Sequence, residues 1–331
     1  MSVLCVLIFH AVPAWLPGGF LGVDVFFALS GFLITSLILN EFDATGGINF
    51  ARFFSHRWFR LAPALIAMLM IYGLILILFV PDATFEKQGV ATLLALTYTT
   101  NWARAWTIKE SADLGHTWSL AVEGQFYLLW PFIVWTLLTL IRNKWVLCIT
   151  FIGLAVLSFA VRLWWLGHGA TIERVYNGLD TRFETLVWGA VLAAYLRTRK
   201  NELNVNLGWP ALAIMGCLFC MAQWTSVLYY QAGITGVGVL AALLVNSLNT
   251  VKVTQFKRAF EFSWLVWLGS VSYGVYLWHF PVVRLLLNFD IQGASLVGAV
   301  LCITLPVAAL SYYYLELPLQ RWNKQRASLS R

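Results

Sequence analysis

The chain has 331 residues, of which 60% are hydrophobic and only 11% are charged, and its mean hydropathy is +0.75. Soluble domains carry roughly a quarter charged residues, so this composition excludes a water-soluble or disordered protein and indicates an integral membrane protein. The net charge of +7 accompanies 17 Trp and 23 Phe, a load that suits lipid-facing and interfacial positions and not a nucleic-acid-binding surface.

Ten apolar runs predict membrane-spanning helices, each of which needs about 20 mostly apolar residues. They are residues 1–14, 22–40, 61–80, 119–141, 145–166, 183–197, 209–227, 233–249, 265–288 and 294–315. A further apolar run, 88–101, is short and ends in the polar letters TYTTN, so we expect a re-entrant or interfacial segment there. The fold prediction is an all-α polytopic transmembrane helix bundle of about ten spans, with one transmembrane domain over 1–318 and a short basic cytoplasmic tail over 319–331.

The distribution of Lys and Arg predicts the orientation of the chain. With these ten spans, 15 of the 22 Lys and Arg residues fall on one side, and the positive-inside rule places that side and both termini in the cytoplasm. Residues 1–13 would cover only about 18 Å as a helix, less than the ~30 Å hydrocarbon core. We therefore expect the first span to begin upstream of Met1. A cleaved signal peptide is the alternative, although no basic segment precedes the apolar run.

Four ionisable residues within or beside the predicted spans indicate a functional site, because such groups are costly in a bilayer. In the predicted orientation all of them lie toward the outer side: His10, Asp24, Glu123 and His279. A fifth polar site at similar depth is formed by Asp180 and Arg182, which open another span from the outside. A neutral imidazole beside a carboxylate can act as a general base near pH 7. We therefore expect His10 to be the base and Asp24 or Glu123 to orient it. A proton relay in a transporter would use the same residue types.

Two arginines at the predicted cytoplasmic surface, Arg57 and Arg60, are spaced i, i+3 and so share one face of a helix. Paired guanidiniums can fork onto phosphate oxygens, which predicts a site for a phosphorylated ligand. Snorkelling or positive-inside arginines are the alternative interpretation. The chain contains no GxSxG, HExxH, P-loop or GxGxxG motif, and we expect neither a metal ion nor a permanently bound cofactor.

Several segments match, in order, the motifs of one known family. They are GFLGVDVFF at 19–27, LSGFLI at 29–34, FFSHRWFR at 53–60, WSLAVEGQFY at 118–127, DTR at 180–182, SYGVYLWHFP at 272–281 and ELP at 316–318. Each segment is weak evidence alone, but together they are specific. Over most of its length, from Gly18 to Glu316, the chain resembles the acyltransferase 3 family of bacterial membrane proteins, which O-acetylate cell-surface and exported glycans.

This resemblance implies transfer of an acyl group, usually acetyl, from cytoplasmic acyl-CoA to a sugar hydroxyl by a protein of the bacterial inner membrane. His10 matches the family's essential first-helix histidine, and Arg57 and Arg60 match its paired arginines, which are thought to serve the acyl donor. Acetyl-CoA would thus be a donor substrate. The other partners would be a glycan or lipid-linked glycan acceptor and membrane lipids.

In the expected mechanism, the arginines hold the CoA phosphates at the inner face while the thioester reaches toward a base near the outer face. A side-chain hydroxyl would stabilise the oxyanion, and the candidates are Ser30, Ser272 and Tyr276. The outer loops 81–117 and 167–182 are expected to select the acceptor, through aromatic rings that could stack on sugars: Trp102, Trp106 and Tyr176. For any one of these residues, anchoring at the membrane interface is the favoured interpretation. The alternatives are a proton-coupled transporter or flippase for a glycan or lipid precursor and a non-catalytic scaffold.

Overall fold

The computed structural model of the protein describes residues 1–80, 85–108, 112–198, 204–250 and 252–329. Within these ranges the chain is helical and has no β-strand, as expected for an all-α fold. In chain order the α-helices are α1 (Ser2–Ala11), α2 (Gly22–Thr45), α3 (Phe50–Phe79), α4 (Phe85–Leu96), α5 (Thr100–Ala105), α6 (Trp118–Leu140), α7 (Lys144–Gly167), α8 (Ile172–Asn177), α9 (Leu179–Thr198), α10 (Gly208–Met221), α11 (Ile234–Asn249), α12 (Gln255–Phe260), α13 (Ser263–Leu287), α14 (Gly293–Ser311) and α15 (Leu317–Leu329).

Short turns of 3-10 or π-helix join or extend these elements. They lie at Gly19–Leu21, Ala112–Thr117, Val205–Leu207, Tyr229–Gly233 and Tyr312–Glu316. Several basic residues that contribute to the predicted charge asymmetry lie outside the described residues: Lys109, Arg199, Lys200 and Arg331.

Within the described ranges, six helical segments are long and apolar enough to cross a bilayer, and the expected ten are therefore not confirmed. The six are Gly19–Thr45, Phe50–Phe79, Asp113–Leu140, Lys144–Gly167, Tyr229–Asn249 and Gly293–Arg326. The other four predicted spans are helical but differ in length or polarity. Helices α1 and α10 have 10 and 14 residues, whereas α9 carries several charges and α13 carries Ser, Tyr and His side chains that lower its hydropathy.

Helix α9 lies inside the bundle, and its charges are paired there. Arg182 binds Asp24 of α2, and both side chains are fully buried. Glu184 pairs with Arg162 of α7 at 2.5 Å. A charged side chain can remain inside a bilayer protein when a partner of opposite charge compensates it. The pairs explain how a helix with this many charges is accommodated at the centre of an apolar bundle.

Glycines allow α2 and α9 to pack closely. A Cβ atom at Gly31 would lie 1.8 Å from the carbonyl oxygen of Leu186, and one at Gly189 would lie 1.9 Å from that of Ala28. Small residues at such crossings let helix backbones approach in membrane proteins. This contact sets the position of α2, which carries several residues of the site described below.

The segment expected to be re-entrant or interfacial forms two short helices, α4 and α5, separated by a turn at residues 97–99. They have 12 and 6 residues, so neither is long enough to cross the bilayer. The described part of the predicted basic tail, residues 319–329, is helical and belongs to α15, which packs against the start of α3, where Ser55 donates a hydrogen bond of 2.7 Å to Asn323.

Candidate active site

A pair of histidines joins the first helix to α13. Nδ1 of His10 lies 3.0 Å from Nε2 of His279. His279 is fully buried, whereas His10 is partly buried. The sequence placed both residues toward the outer side of their spans, and the structure brings them into direct contact although they are 269 positions apart.

Backbone carbonyls determine which nitrogen of each ring carries the proton. Nδ1 of His279 lies 2.6 Å from the carbonyl oxygen of Tyr276 and 3.2 Å from that of Val275. Because a carbonyl oxygen only accepts, this Nδ1 must donate, and in the neutral ring Nε2 then accepts the Nδ1–H of His10. The consequence is that Nε2 of His10 retains a free lone pair, which is the property required of a general base.

A cavity of about 180 Å³ lies between α2, α3, α6 and α13. Its polar lining includes all but three of the residues that the sequence identified for the site or the oxyanion, namely Ser30, Arg57, Arg60, Glu123, Ser272 and Tyr276. The sequence predicted that the arginines and Glu123 lie at opposite depths. Instead they line the same cavity, because α3 and α6 both present side chains to it.

Glu123 is held by two hydroxyl groups. Ser30 donates to its Oε1 atom at 2.6 Å, and Tyr127, one helical turn further along α6, donates to the same oxygen. The guanidinium of Arg57 lies 5.4 Å from the centre of the Tyr127 ring, in a cation–π arrangement. Glu123 is therefore part of a network with Arg57 and Ser30, and the expected pairing of Glu123 with His10 is not formed.

Arg57 and Arg60 are available to an anionic ligand. Arg57 is partly buried and Arg60 is exposed, and among the described residues neither guanidinium has a carboxylate within 4.0 Å. Arginines whose forks are not occupied by carboxylates can bind phosphate oxygens in a bidentate manner. The geometry is thus compatible with the phosphorylated ligand expected from the spacing.

Asp24 does not orient His10 either. Its carboxylate binds Arg182 and accepts a hydrogen bond of 2.9 Å from the hydroxyl of Tyr229. The sequence did not reveal these two partners of Asp24, because Arg182 and Tyr229 lie on elements that are distant from it in the chain. The structure gives Asp24 a place in a buried ion pair between α2 and α9.

Tyr276 lies between the cavity and the histidine pair. Its side chain lines the cavity, and its hydroxyl donates to the carbonyl of His116 at 2.8 Å and lies 2.6 Å from Oγ of Ser119. Its own carbonyl accepts the Nδ1–H of His279. Ser272, one turn earlier in α13, has its hydroxyl bound to the carbonyl of Gly269. Among the three candidate residues, Tyr276 is therefore the one whose backbone carbonyl binds the histidine pair directly.

His116, which the sequence patterns did not single out, lies next to His279. The ring is 2% exposed, and its centre lies 5.6 Å from that of His279. Its Nε2 lies 3.1 Å from the carbonyl oxygen of Leu277. A usable signal was present, since this histidine lies two positions before the WSLAVEGQFY motif, but the segment was interpreted as part of an outer loop.

The aromatic residues expected to bind sugars differ in exposure. Tyr176 is 4% exposed and packs between Trp118 and Trp224, so it cannot stack on a sugar ring in this arrangement. Trp106 is 48% exposed, although one face packs near the guanidinium of Arg174. The prediction is therefore wrong for Tyr176, whose burial reflects its position between helices.

Comparisons with known proteins agree with the motifs. A family model described as an acyltransferase domain matches residues 1–315. The peptidoglycan O-acetyltransferase OatA of Listeria monocytogenes is 29% identical over 344 residues, which cover 97% of this chain and 54% of that protein. The O-acetyltransferase OatA of Staphylococcus aureus is 30% identical over 343 residues, which cover 97% of this chain and 56% of that protein.

The chain spans a little over half the length of these curated relatives. No solved structure matches it significantly. The family model covers nearly the whole chain and includes the segments that carry His10, the two arginines and His279, which confirms the resemblance found in the motifs. The chain belongs to the acyltransferase 3 family.

Proposed function

We propose that this protein is a membrane-embedded O-acetyltransferase that moves an acetyl group from cytoplasmic acetyl-CoA to a hydroxyl of a cell-surface glycan. The observation that carries the proposal is the histidine pair, in which backbone carbonyls leave the Nε2 lone pair of His10 free for an acceptor proton. A cavity with two arginines lies beside this pair, separated from it by Tyr276. The family and the names of the relatives support the acyl-transfer reaction.

The donor is proposed to bind with its phosphates on Arg57 and Arg60. These guanidiniums are free of carboxylate partners among the described residues, and the start of α3, which carries them, lines the cavity. The pantetheine arm separates the phosphates from the thioester, so it would extend through the cavity toward Tyr276. In this arrangement the cavity leads from the arginines to Tyr276, whose ring centre lies 5.4 Å from that of His279.

The proposed chemistry uses one base and one hydrogen-bond donor. Nε2 of His10 takes the proton of the acceptor hydroxyl, and the oxygen attacks the thioester carbonyl. The resulting oxyanion requires a donor, and the O–H of Tyr276 would serve by turning from the carbonyl of His116 to the oxyanion. The C–S bond then breaks, the acetyl ester remains on the acceptor, and the proton passes from His10 to the CoA thiolate, which leaves as the thiol.

The acceptor is proposed to be a glycan of the bacterial cell surface, either polymeric or lipid-linked. The relative from Listeria monocytogenes is named for peptidoglycan, which makes peptidoglycan the first acceptor to test. We further propose that the ten predicted spans lie in the inner membrane, where α1 and α10, with 10 and 14 residues, extend only part of the way across, and that both termini face the cytoplasm. This topology brings α1 and α13 toward the outer face at the histidine pair.

The test uses purified protein in lipid nanodiscs, labelled acetyl-CoA and peptidoglycan fragments. We expect acetyl ester to form on the fragments with the native chain and to be lost in His10→Ala. His168→Ala is the matched control, because His168 is exposed and bonds only to the carbonyl of Trp164 among the described residues. Equal activity of His10→Ala and the native chain would refute the base assignment. A proton-coupled carrier would transport its ligand without forming an acetyl ester.

A further inference from the structure

We infer that His116 is a positioning residue for the His10–His279 pair, and that it acts by satisfying a backbone carbonyl that a proline leaves without its helical donor. The inference begins in α13, which contains Pro281. In an α-helix the carbonyl of each residue accepts from the N–H four positions later. Proline has no N–H, so the carbonyl of Leu277 cannot receive its usual hydrogen bond.

His116 supplies the missing donor from outside the helix. Its Nε2 lies 3.1 Å from the Leu277 carbonyl oxygen. Because this oxygen only accepts, Nε2 of His116 must carry the hydrogen. The contact is buried, and buried backbone carbonyls are nearly always paired in folded proteins. Pro281 thus removes the backbone N–H that would bind the Leu277 carbonyl, and His116 replaces that donor.

A second contact of His116 reaches the preceding residue of α13. The hydroxyl of Tyr276 donates to the carbonyl oxygen of His116 at 2.8 Å. The carbonyl of Tyr276 in turn holds Nδ1 of His279 at 2.6 Å, and Nε2 of His279 holds His10. His116 therefore fixes two consecutive residues of α13, and one of them determines the tautomer of the pair.

Ring packing fixes the same three histidines around one phenylalanine. The ring of Phe280 lies 5.1 Å from that of His116 and 4.9 Å from that of His10, between ring centres. Loss of the His116 ring would therefore remove a packing contact of His279 and of Phe280, which itself packs against His10. Misplacement of a catalytic group by about 1 Å can cost about 100-fold in rate, so the effect of His116 is expected on catalysis as well as on stability.

The test is a double-mutant cycle between His116→Phe and Pro281→Ala. Alanine at position 281 restores an N–H four residues after Leu277, so the carbonyl no longer depends on His116. We expect His116→Phe to lower kcat for acetyl transfer from acetyl-CoA by about 10- to 100-fold per folded molecule, with the KM for acetyl-CoA unchanged because the arginines are not touched. In the Pro281→Ala background the same change is expected to cost less than about threefold.

His116→Gln serves as the conservative variant, because its amide keeps an N–H donor. We expect it to retain more activity than His116→Phe. If the Phe variants do not fold, the Gln variant carries the test: retained activity supports the inference, and a folded but inactive protein overturns it. Equal losses from His116→Phe in both backgrounds would also overturn it, as would native kcat in the folded single variant.

A spectroscopic readout separates this inference from the proposed function, on which its catalytic part rests. The chain has five histidines, so 15N-histidine labelling in nanodiscs can resolve their tautomers without any donor present. We expect protons on Nδ1 of His10 and His279 and on Nε2 of His116 in the native chain. His116→Phe should remove the hydrogen-bonded Nδ1–H signals of the pair, and the added Pro281→Ala should restore them. Unchanged signals in His116→Phe would refute the inference, whereas native protein inactive with acetyl-CoA would refute only the proposed function.

Discussion

Replacement of Asp24 by Asn distinguishes a folding role from a catalytic one. Asp24 and Arg182 are both fully buried, and the guanidinium also stacks 4.9 Å from the ring centre of Tyr176. Removing the carboxylate charge leaves a buried guanidinium without its counter-ion. Breaking a buried pair in this way costs ~3–5 kcal/mol, which is a large fraction of the ~5–15 kcal/mol that separates folded from unfolded protein.

Thermal unfolding in detergent, monitored by size-exclusion chromatography, measures this loss of stability. Asp43→Asn is the matched control, because Asp43 pairs with Arg197 at the surface and is 43% exposed, where an ion pair contributes ~0–1 kcal/mol. We expect Asp24→Asn to melt well below both the native chain and Asp43→Asn. Adding Arg182→Met should recover much of the loss, because replacing both charges removes the uncompensated one.

The refuting results are specific. Equal melting temperatures for Asp24→Asn and Asp43→Asn would show that the buried pair does not stabilise the bundle. A native melting temperature with a large loss of acetyl transfer per folded molecule would instead support the original expectation that Asp24 orients His10. The structure predicts the opposite order, in which folded yield falls more than the activity of the protein that remains folded.

Three further predictions address packing, the donor site and topology. Gly189→Ala should lower the melting temperature, because the added Cβ would lie 1.9 Å from the Ala28 carbonyl oxygen and overpacking costs ~1–3 kcal/mol. Gly153→Ala is the control, because a Cβ there would have nothing within 4 Å. Equal effects of the two changes would contradict the close helix contact. Arg57→Lys should raise the KM for acetyl-CoA about tenfold and leave the KM for the glycan unchanged, because a point charge loses the forked contact; equal increases would count against the donor assignment. In a cysteine-free background, membrane-impermeant thiol reagents should label Trp58→Cys only from the cytoplasmic side and Trp15→Cys only from the outside. The native side chains at these two positions are 58% and 54% exposed. Labelling of both cysteines from one side would reject the proposed orientation.

The sequence predicted the class of protein and the family from different kinds of information. Composition indicated a membrane protein because few charged residues can be tolerated in lipid. The family followed from short motifs in order, and the family model confirms it. His10 and His279 were identifiable because each is an ionisable ring within an apolar run, where its burial is energetically costly. The i, i+3 spacing drew attention to the paired arginines but left snorkelling as an alternative, and only the family motifs linked them to an acyl donor.

The partners of the carboxylates were not predictable in the same way. Asp24 and Arg182 are 158 positions apart, and Glu123 and Ser30 are 93 positions apart. Both acids were assigned to His10 because all were expected at similar depth. Depth along a helix follows from the sequence, but the direction in which a side chain points relative to other helices does not. The structure therefore assigns one acid to α9 and the other to the cavity of the arginines.

The number of spans was also difficult to predict from the sequence, because some helices carry charges whose partners lie on other helices. Helix α9 has the length of a span but carries Asp180, Arg182 and Glu184 near its start, and hydropathy alone cannot tell whether such charges will be paired. The structure pairs all three with arginines or an aspartate on neighbouring elements. The hydropathy of a single helix therefore does not show whether neighbouring elements neutralise its charged side chains.

By itself, the sequence determined that this chain is an all-α membrane protein of the acyltransferase 3 family and which few polar residues deserve a functional explanation. Only the tertiary structure decided that the two histidines touch, that Glu123 joins the arginines, and that His116 completes the helix interrupted by Pro281. The physical reason is that hydropathy and spacing are properties of one segment, whereas a hydrogen bond in a bundle depends on how separate helices are rotated and packed against each other.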